Sequence, residues 1–288
     1  MQLPNNKSTS SWNATSVADS LSVMMQKEQT VYRSCNYLHH HNEPSSVSAS
    51  LQVVDEDVRT TMVDWCYSFI DVCQFEREHV AVAMEMVDRF LSKSSEHSEA
   101  VLRDRMKFQL LTMTSLYVAF KTNGRTALAI DFISSISQNL YTVQEIEAME
   151  WTLLNELAWR ISPPTCAHMA HHILSLVSMQ VPLDKTTRKF IRDEMNYQAV
   201  HAVREYYFVT QRPSTMAIAA MLNALDLLSK KQRNCHNICR ALVSIMNDEF
   251  ESIEKILDMK SILFNLVYEH EAGAGDDVDS YRQVDEFM

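Results

Sequence analysis

Glycine and proline are scarce in this sequence, with 3 Gly and 6 Pro in 288 residues, where average usage is roughly 7% and 5%. Strand-and-turn architectures use those residues at nearly every connection. Open α/β nucleotide folds need glycine where the backbone meets phosphate. The scarcity argues against an all-β fold, a Rossmann fold and a P-loop, and leaves a mainly helical chain. Cysteine pairs are lacking too. Cys35, Cys66, Cys73, Cys166, Cys235 and Cys239 include no CxxC, so they read as buried thiols in a reducing compartment and not as a disulfide framework. The Asn/Ser-rich start from Met1 to Ser16 has no apolar core and so does not read as a signal peptide. No apolar run approaches the ~18 residues that span a bilayer. The expectation is a soluble, intracellular chain with no membrane partner.

What is present agrees with a helical protein. Hydrophobic residues make up 46% and charged residues 22%, enough to bury two cores at ~150 residues per domain. There are 26 Lys+Arg against 37 Asp+Glu, a formal net charge of −11. An acidic surface repels phosphate backbones, and without a long basic run nucleic acid is not an expected partner.

Apolar residues recur at helical spacing along most of the chain. Val17, Leu21, Met24, Val31 and Cys35 predict a helix to about Leu38, followed by a linker through His39-His40-His41, Pro44 and Ser50. Glu56–Cys73 carries Val58, Met62, Trp65, Phe69 and Cys73 on one face, and Glu76–Leu91 carries Val80, Ala83, Val87 and Leu91. A loop (Ser92–Ser98) precedes one helix from about Ala100 to Thr122, stopped by Asn123-Gly124. After the short apolar piece Ala127–Ile136, Thr142-Val-Gln-Glu145 has capping-box spacing and opens a helix reaching Trp159. Beyond Pro163-Pro164 the pattern predicts Thr165–Ser178, Asp184–Thr210, Pro213–Ser229, Cys235–Asn247 and Glu249–Tyr268. The final stretch holds Glu271, Asp276, Asp277, Asp279, Asp285 and Glu286 with little to bury, and reads as a disordered acidic tail.

Five helices are thus followed by five. The third of each set is rich in small residues, Thr112, Thr114, Ser115 and Ala119 in one and Ala217, Ala219, Ala220 and Ala224 in the other. Such a helix suits the middle of a bundle. The expected domains are 1–50 (arm, helix and linker), 51–162, 163–270 and the tail 271–288.

Two charges interrupt apolar stripes. Glu150 lies among Val143, Ile146, Met149, Leu153, Leu154 and Leu157, and Lys121 shares a face with Leu110, Thr114, Tyr117 and Val118. An unpaired buried charge costs several kcal/mol, so each needs a partner. Three readings stand: Lys121 complements a helix end while Glu150 sits at an exposed margin; the two pair with each other; or both emerge where apolar neighbours meet another protein.

Several short motifs add a resemblance. Arg59-Thr-Thr-Met-Val-Asp64-Trp65, Asp88-Arg89-Phe90-Leu91-Ser92, Phe108-Gln109-Leu110 with Ala119-Phe120-Lys121, and Tyr141-Thr142 with Met149-Glu150 and Leu153-Leu154 resemble the helices of a cyclin box. The lysine-to-glutamate interval of 29 residues matches that family's pattern. Trp159, Ile161, Pro164 and Thr165 look like its inter-box linker, and Pro213–Ala220 resembles the third helix of a second box. The resemblance covers about Val17 to Val267 and implies two tandem five-helix cyclin boxes with an extra N-terminal helix.

It also implies a non-enzymatic regulatory subunit that binds and activates a cyclin-dependent kinase, in nucleus and cytoplasm, with no cofactor. By motif match, Lys121 and Glu150 make polar contacts to the kinase and Val118, Leu154, Trp159 and Ile161 apolar ones. Val58, Met62, Trp65 and Gln109 fit a patch that docks substrates or inhibitors, although Thr61 and Ser68 depart from it. Arg59 and Asp64 are structural, Asp64 anchoring the first box helix, with Arg59 as partner. The ending Leu157-Ala-Trp159-Arg160 and the short N-terminal arm lean toward a D-type-like cyclin, but LxCxE is missing. The minimal destruction-box spacing Arg125-Thr-Ala-Leu128 lies between box helices. A cyclin-fold transcription regulator and a helical scaffold without a kinase are the alternatives. His168, His171 and His172 have helical spacing but no zincin glutamate, Cys235-His236-Cys239 reads as packed thiols, and no metal site is expected. No nucleophile with an adjacent base or GxSxG occurs, so no catalytic residues are assigned.

Overall fold

A computed structural model describes residues 9–38, 53–123, 128–229, 235–246 and 249–269. The linker through His39–Ser50, Arg125–Ala127 and the acidic tail beyond Glu271 lie outside the described residues. Those described are all-helical, without strands: α1 (Thr9–Gln29), α2 (Glu56–Cys73), α3 (Glu78–Leu91), α4 (Glu96–Leu102), α5 (Arg105–Asn123), α6 (Ile130–Ile136), α7 (Val143–Glu156), α8 (Cys166–Gln180), α9 (Lys185–Arg204), α10 (Pro213–Ser229), α11 (Cys235–Ile245) and α12 (Ile253–Phe264). The chain forms two compact units. An N-terminal unit comprises 23–165 with 203–212, and a C-terminal unit comprises 1–22, 166–202 and the chain from 213 onward.

In the N-terminal unit α5 is central, touching α2, α3, α4, α6 and α7. Its small side chains explain this: Thr112, Thr114, Ser115 and Ala119 are fully buried, so neighbouring backbones approach closely. Phe90, Phe108, Leu111 and Phe120 fill the space around it. The Asp55 carboxylate caps α2 by accepting from the Val58 N–H at 2.8 Å. Thr142 and Glu145 close a reciprocal capping box on α7.

Several helix boundaries differ from the sequence expectation, four of them for a reason of fold. The predicted Ala100–Thr122 helix is two helices, because Asp104 turns its carboxylate onto the Met106 N–H (2.9 Å) and Lys107 N–H (3.3 Å) and so starts α5 afresh. The Ser92–Ser98 loop already contains the start of α4, capped by Ser95. α1 ends at Gln29, not Leu38, and the chain to Leu38 is non-helical. The Asp184–Thr210 helix stops at Arg204 and resumes as a 3₁₀ turn, Tyr206–Thr210.

Those last two segments share one polar cluster. Asp88 on α3 accepts from Arg59 Nε (3.0 Å), Arg59 Nη2 (2.8 Å) and the Tyr37 hydroxyl (2.7 Å). Arg59 Nη1 donates to the Val203 carbonyl at 2.8 Å. The Tyr206 hydroxyl accepts from the Leu38 N–H at 2.9 Å, and its ring meets Tyr37 edge-on at 5.2 Å. Burial, with the Asp88 charge second, holds the Tyr37 phenol well above its ordinary value, so it stays a donor. The expected Arg59–Asp64 pairing is therefore corrected: Arg59 points inward to Asp88, whereas Asp64 is half-exposed and pairs with Arg204 at 2.5 Å.

In the C-terminal unit α10 takes the central place, touching α8, α11 and α12, with Ala217, Ala219, Ala220 and Ala224 fully buried. One buried amide pair ties the bundle. Asn223 Nδ2 donates to Gln198 Oε1 (2.9 Å) and to the Lys260 carbonyl (3.0 Å), and Gln198 Nε2 donates to the Ala220 carbonyl at 3.2 Å.

Candidate interaction site

α5 ends and α7 runs past it so that Lys121 Nζ lies 2.6 Å from Glu150 Oε1. The ammonium is also 4.9 Å from the Tyr117 ring centroid. Partial burial works against its charge, but the Glu150 hydrogen bond and carboxylate hold the Lys121 ammonium above its ordinary value. The lysine side chain is 42% exposed and the glutamate 15%. Of the three sequence readings, the structure bears out the pairing of the two side chains, with the lysine end of the pair partly exposed.

Beside the pair the end of α7 is unusual. Ala158 (φ 49°) and Trp159 (φ 61°) are consecutive non-glycine residues in the left-handed region, each at a cost of roughly 1–2 kcal/mol. The Trp159 N–H donates to the Leu154 carbonyl and the Ala158 N–H to the Asn155 carbonyl, both at 2.9 Å, which closes a Schellman motif without its customary glycine. The turn leaves Trp159 57% and Trp151 62% exposed, with ring centroids 6.2 Å apart and nearly perpendicular. Ile161 follows, half-buried. Just beyond the turn, the Arg160 carbonyl accepts from Arg89 Nη2 at 2.6 Å, and the Arg89 guanidinium lies 4.4 Å from the Tyr32 ring centroid.

The predicted contact residues separate into two groups. Lys121, Glu150, Trp159 and Ile161 offer surface. Val118 (1% exposed) and Leu154 (7%) are core residues that seat the ends of α5 and α7. Trp151 carries exposed aromatic area that the motif match did not pick out. Its signal was a tryptophan beside the stripe glutamate.

The four residues of the expected docking patch lie on α2 and α5. Met62 is buried, Val58 and Trp65 are half-buried, and Trp65 packs against Met113, Tyr117, Ile133, Tyr141 and Ile146. Gln109 accepts from the Tyr141 hydroxyl at 2.8 Å. Thr61 is exposed and its hydroxyl is turned onto its own helix, donating to the Asp57 carbonyl. Among the described residues no group of three or more His, Cys, Asp or Glu is placed to hold a metal ion, and no helix is long and apolar enough to cross a membrane.

Residues 19–162 match the family described as cyclin, N-terminal domain. G2/mitotic-specific cyclin-B of Hydra vulgaris is 27% identical over 69% of this chain and 51% of its own length. G2/mitotic-specific cyclin-A1 of Caenorhabditis elegans is 28% identical over 58% of this chain and 31% of its own length. The chain therefore spans about half or less of the length of these curated relatives, and both are of the A and B types, not the D type that the Leu157–Arg160 ending resembles. The crystal structure of a viral cyclin from herpesvirus saimiri has the same fold, with a TM-score of 0.60 over 87% of this chain and 99% of that one at 13% identity. A helical bundle centred on α5, a lysine and glutamate joined across 29 residues, and a family match over 19–162 lead to one assignment: the chain belongs to the cyclin family.

Proposed function

We propose that this cyclin is a regulatory, non-catalytic subunit that binds a cyclin-dependent protein kinase and activates it in cell-cycle control. The observation that carries the reading is the Lys121–Glu150 pair. It stands at the surface with ammonium hydrogens and a carboxylate oxygen left for a second chain, beside two tryptophans that have no packing reason to face water. In the family, this face packs against the kinase's PSTAIRE-type helix. The contact swings that helix inward, so that the kinase glutamate pairs with the ATP-positioning lysine and the activation loop is released. Lys121 and Glu150 then make the polar contacts and Trp159 and Ile161 the apolar ones, while Val118 and Leu154 support them from the core. Nucleus and cytoplasm are the compartments this role requires.

Docking of substrates or inhibitors through Val58, Met62, Trp65 and Gln109 has less support, since Met62 is buried and Thr61 places a polar side chain in the patch. The test is phosphoryl transfer by a purified, inactive cyclin-dependent kinase with increasing amounts of this chain. Saturable activation by the wild type and its loss in Glu150→Ala support the proposal. Absence of activation and of binding across cell-cycle kinases refutes it and favours a scaffold.

A further inference from the structure

The chain carries a net charge of −11, yet one helix face is basic. Lys185, Arg188, Lys189 and Arg192 occupy the i, i+3, i+4 and i+7 positions at the start of α9, within an arc of about 100°, and all four are exposed. The nearby carboxylates are already engaged. Asp184 accepts from the Thr187 N–H (2.9 Å) and hydroxyl (2.6 Å), and Asp193 pairs with Arg192 at 3.0 Å. Among the described residues Lys185, Arg188 and Lys189 have no side-chain partner. The placement is also unfavourable by itself: the first turn of α9 has no acidic side chain, and the cations crowd the positive end of the helix dipole. An anionic occupant relieves both problems.

The chain provides one. The described C-terminus finishes on this same helix: the Tyr268 hydroxyl donates to Glu194 Oε2 at 2.6 Å, and its ring lies 6.5 Å from that of Tyr197. Residues 270–288 follow, with Glu271, Asp276, Asp277, Asp279, Asp285 and Glu286 against a single Arg282. Glu194 lies on the flank of α9 away from the stripe. The segment therefore has to cross a helix ~10–12 Å wide and then run ~13 Å along it. Nineteen residues extend to roughly 60 Å, so the reach is ample, and tethering holds the acidic segment near the stripe at about millimolar effective concentration.

We infer that the basic stripe of α9 is the docking surface for the chain's own acidic segment, Glu271–Glu286, which folds back across the helix. The contact is electrostatic and exposed, so it weakens with salt. It occupies a surface that an acidic peptide of another protein has to compete for. The inference concerns the C-terminal unit alone and stands whether or not the kinase reading does.

Zero-length carbodiimide coupling of the full chain tests it, because it joins a lysine amine only to a carboxylate in contact with it. The expected products are intrachain amides from Lys185 and Lys189 to Asp276, Asp277, Asp279 or Asp285, mapped by mass spectrometry. Their yield should be independent of protein concentration and fall at least about five-fold between ~20 and ~500 mM NaCl. A D276N/D277N/D279N/D285N variant should lose them. Tail couplings that are absent, that occur only between two copies, that go to Lys230 and Lys231, or that spread evenly over all lysines overturn the inference.

Discussion

Replacing Asp88 by asparagine is the most informative perturbation of the fold. Asp88 and Arg59 are 5% and 2% exposed, and the carboxylate takes two guanidinium hydrogens and one phenol hydrogen at 2.7–3.0 Å. Asparagine keeps the size but removes the charge, leaving the Arg59 guanidinium with only the Val203 (2.8 Å) and Arg204 (3.3 Å) carbonyls. Breaking a buried ion pair from one side costs ~3–5 kcal/mol. Tyr37→Phe removes a single hydrogen bond to a charged group, worth ~1.5–3 kcal/mol. Because both act on the same carboxylate, the double variant should cost less than the sum. Three of the four tryptophans, Trp65, Trp151 and Trp159, lie in the N-terminal unit and Trp12 in the other, so urea unfolding followed by tryptophan fluorescence in a Trp12→Phe background reports that unit. Asp88→Asn should also lower its Tm by about 10 °C. A loss under about 1 kcal/mol, or a Tyr37→Phe effect exceeding that of Asp88→Asn, refutes the assignment of Asp88 as the centre of this cluster.

Three further outcomes follow from single positions. Ala158→Gly relieves a left-handed residue at a Schellman position and should raise stability by ~1 kcal/mol in the same unfolding assay; a destabilisation contradicts the strain at this turn. Burial pushes the Glu85 carboxyl up to about 7, against the pull of the Arg89 guanidinium 2.8 Å away, and its Oε1 is sealed without a partner among the described residues. The folded chain then holds this proton where the unfolded chain has released it, so this group's contribution falls, by up to about 3 kcal/mol, as pH rises from ~4.5 to ~7. Urea midpoints at pH 5 and 8 should differ more for the wild type than for Glu85→Gln, and equal slopes refute the shift. Cys66 is fully buried, its thiol pushed up by burial to about 12, whereas Cys35 is exposed. A thiol reagent should therefore label Cys35 within the native state and Cys66 only on unfolding, and early labelling of Cys66 contradicts its burial.

Local signals in the sequence carried far. The α2 span Glu56–Cys73 and the α10 span Pro213–Ser229 follow from periodicity and end residues alone, and the Thr142/Glu145 capping box from spacing. The runs of small residues located the central helices, because burial on several sides requires small side chains. What failed was decided at a distance or by one side chain. Asp104 divides a helix whose apolar stripe runs straight through it, and Arg59 has two acidic candidates whose choice depends on how α2 meets α3. The left-handed pair Ala158-Trp159 has no glycine to announce it. At the candidate site the family motif supplied Lys121 and Glu150, but only the fold brings them to 2.6 Å and places Val118 in the core and Trp151 outside.

The central claim is that Lys121 and Glu150 serve a second polypeptide and not only each other. A charge reversal of the pair, Lys121→Glu with Glu150→Lys, separates the two roles. An ion pair this exposed contributes only ~0.2–1 kcal/mol to the free chain, so the single variants should fold nearly as well as the wild type and the reversed pair equally well. Truncating one side of a polar contact buried with a partner costs ~2–5 kcal/mol. Kinase affinity measured by calorimetry should therefore collapse in Lys121→Ala and Glu150→Ala and stay lost in the reversed pair. Affinity that survives the single variants, or returns when the pair is reversed, contradicts the account.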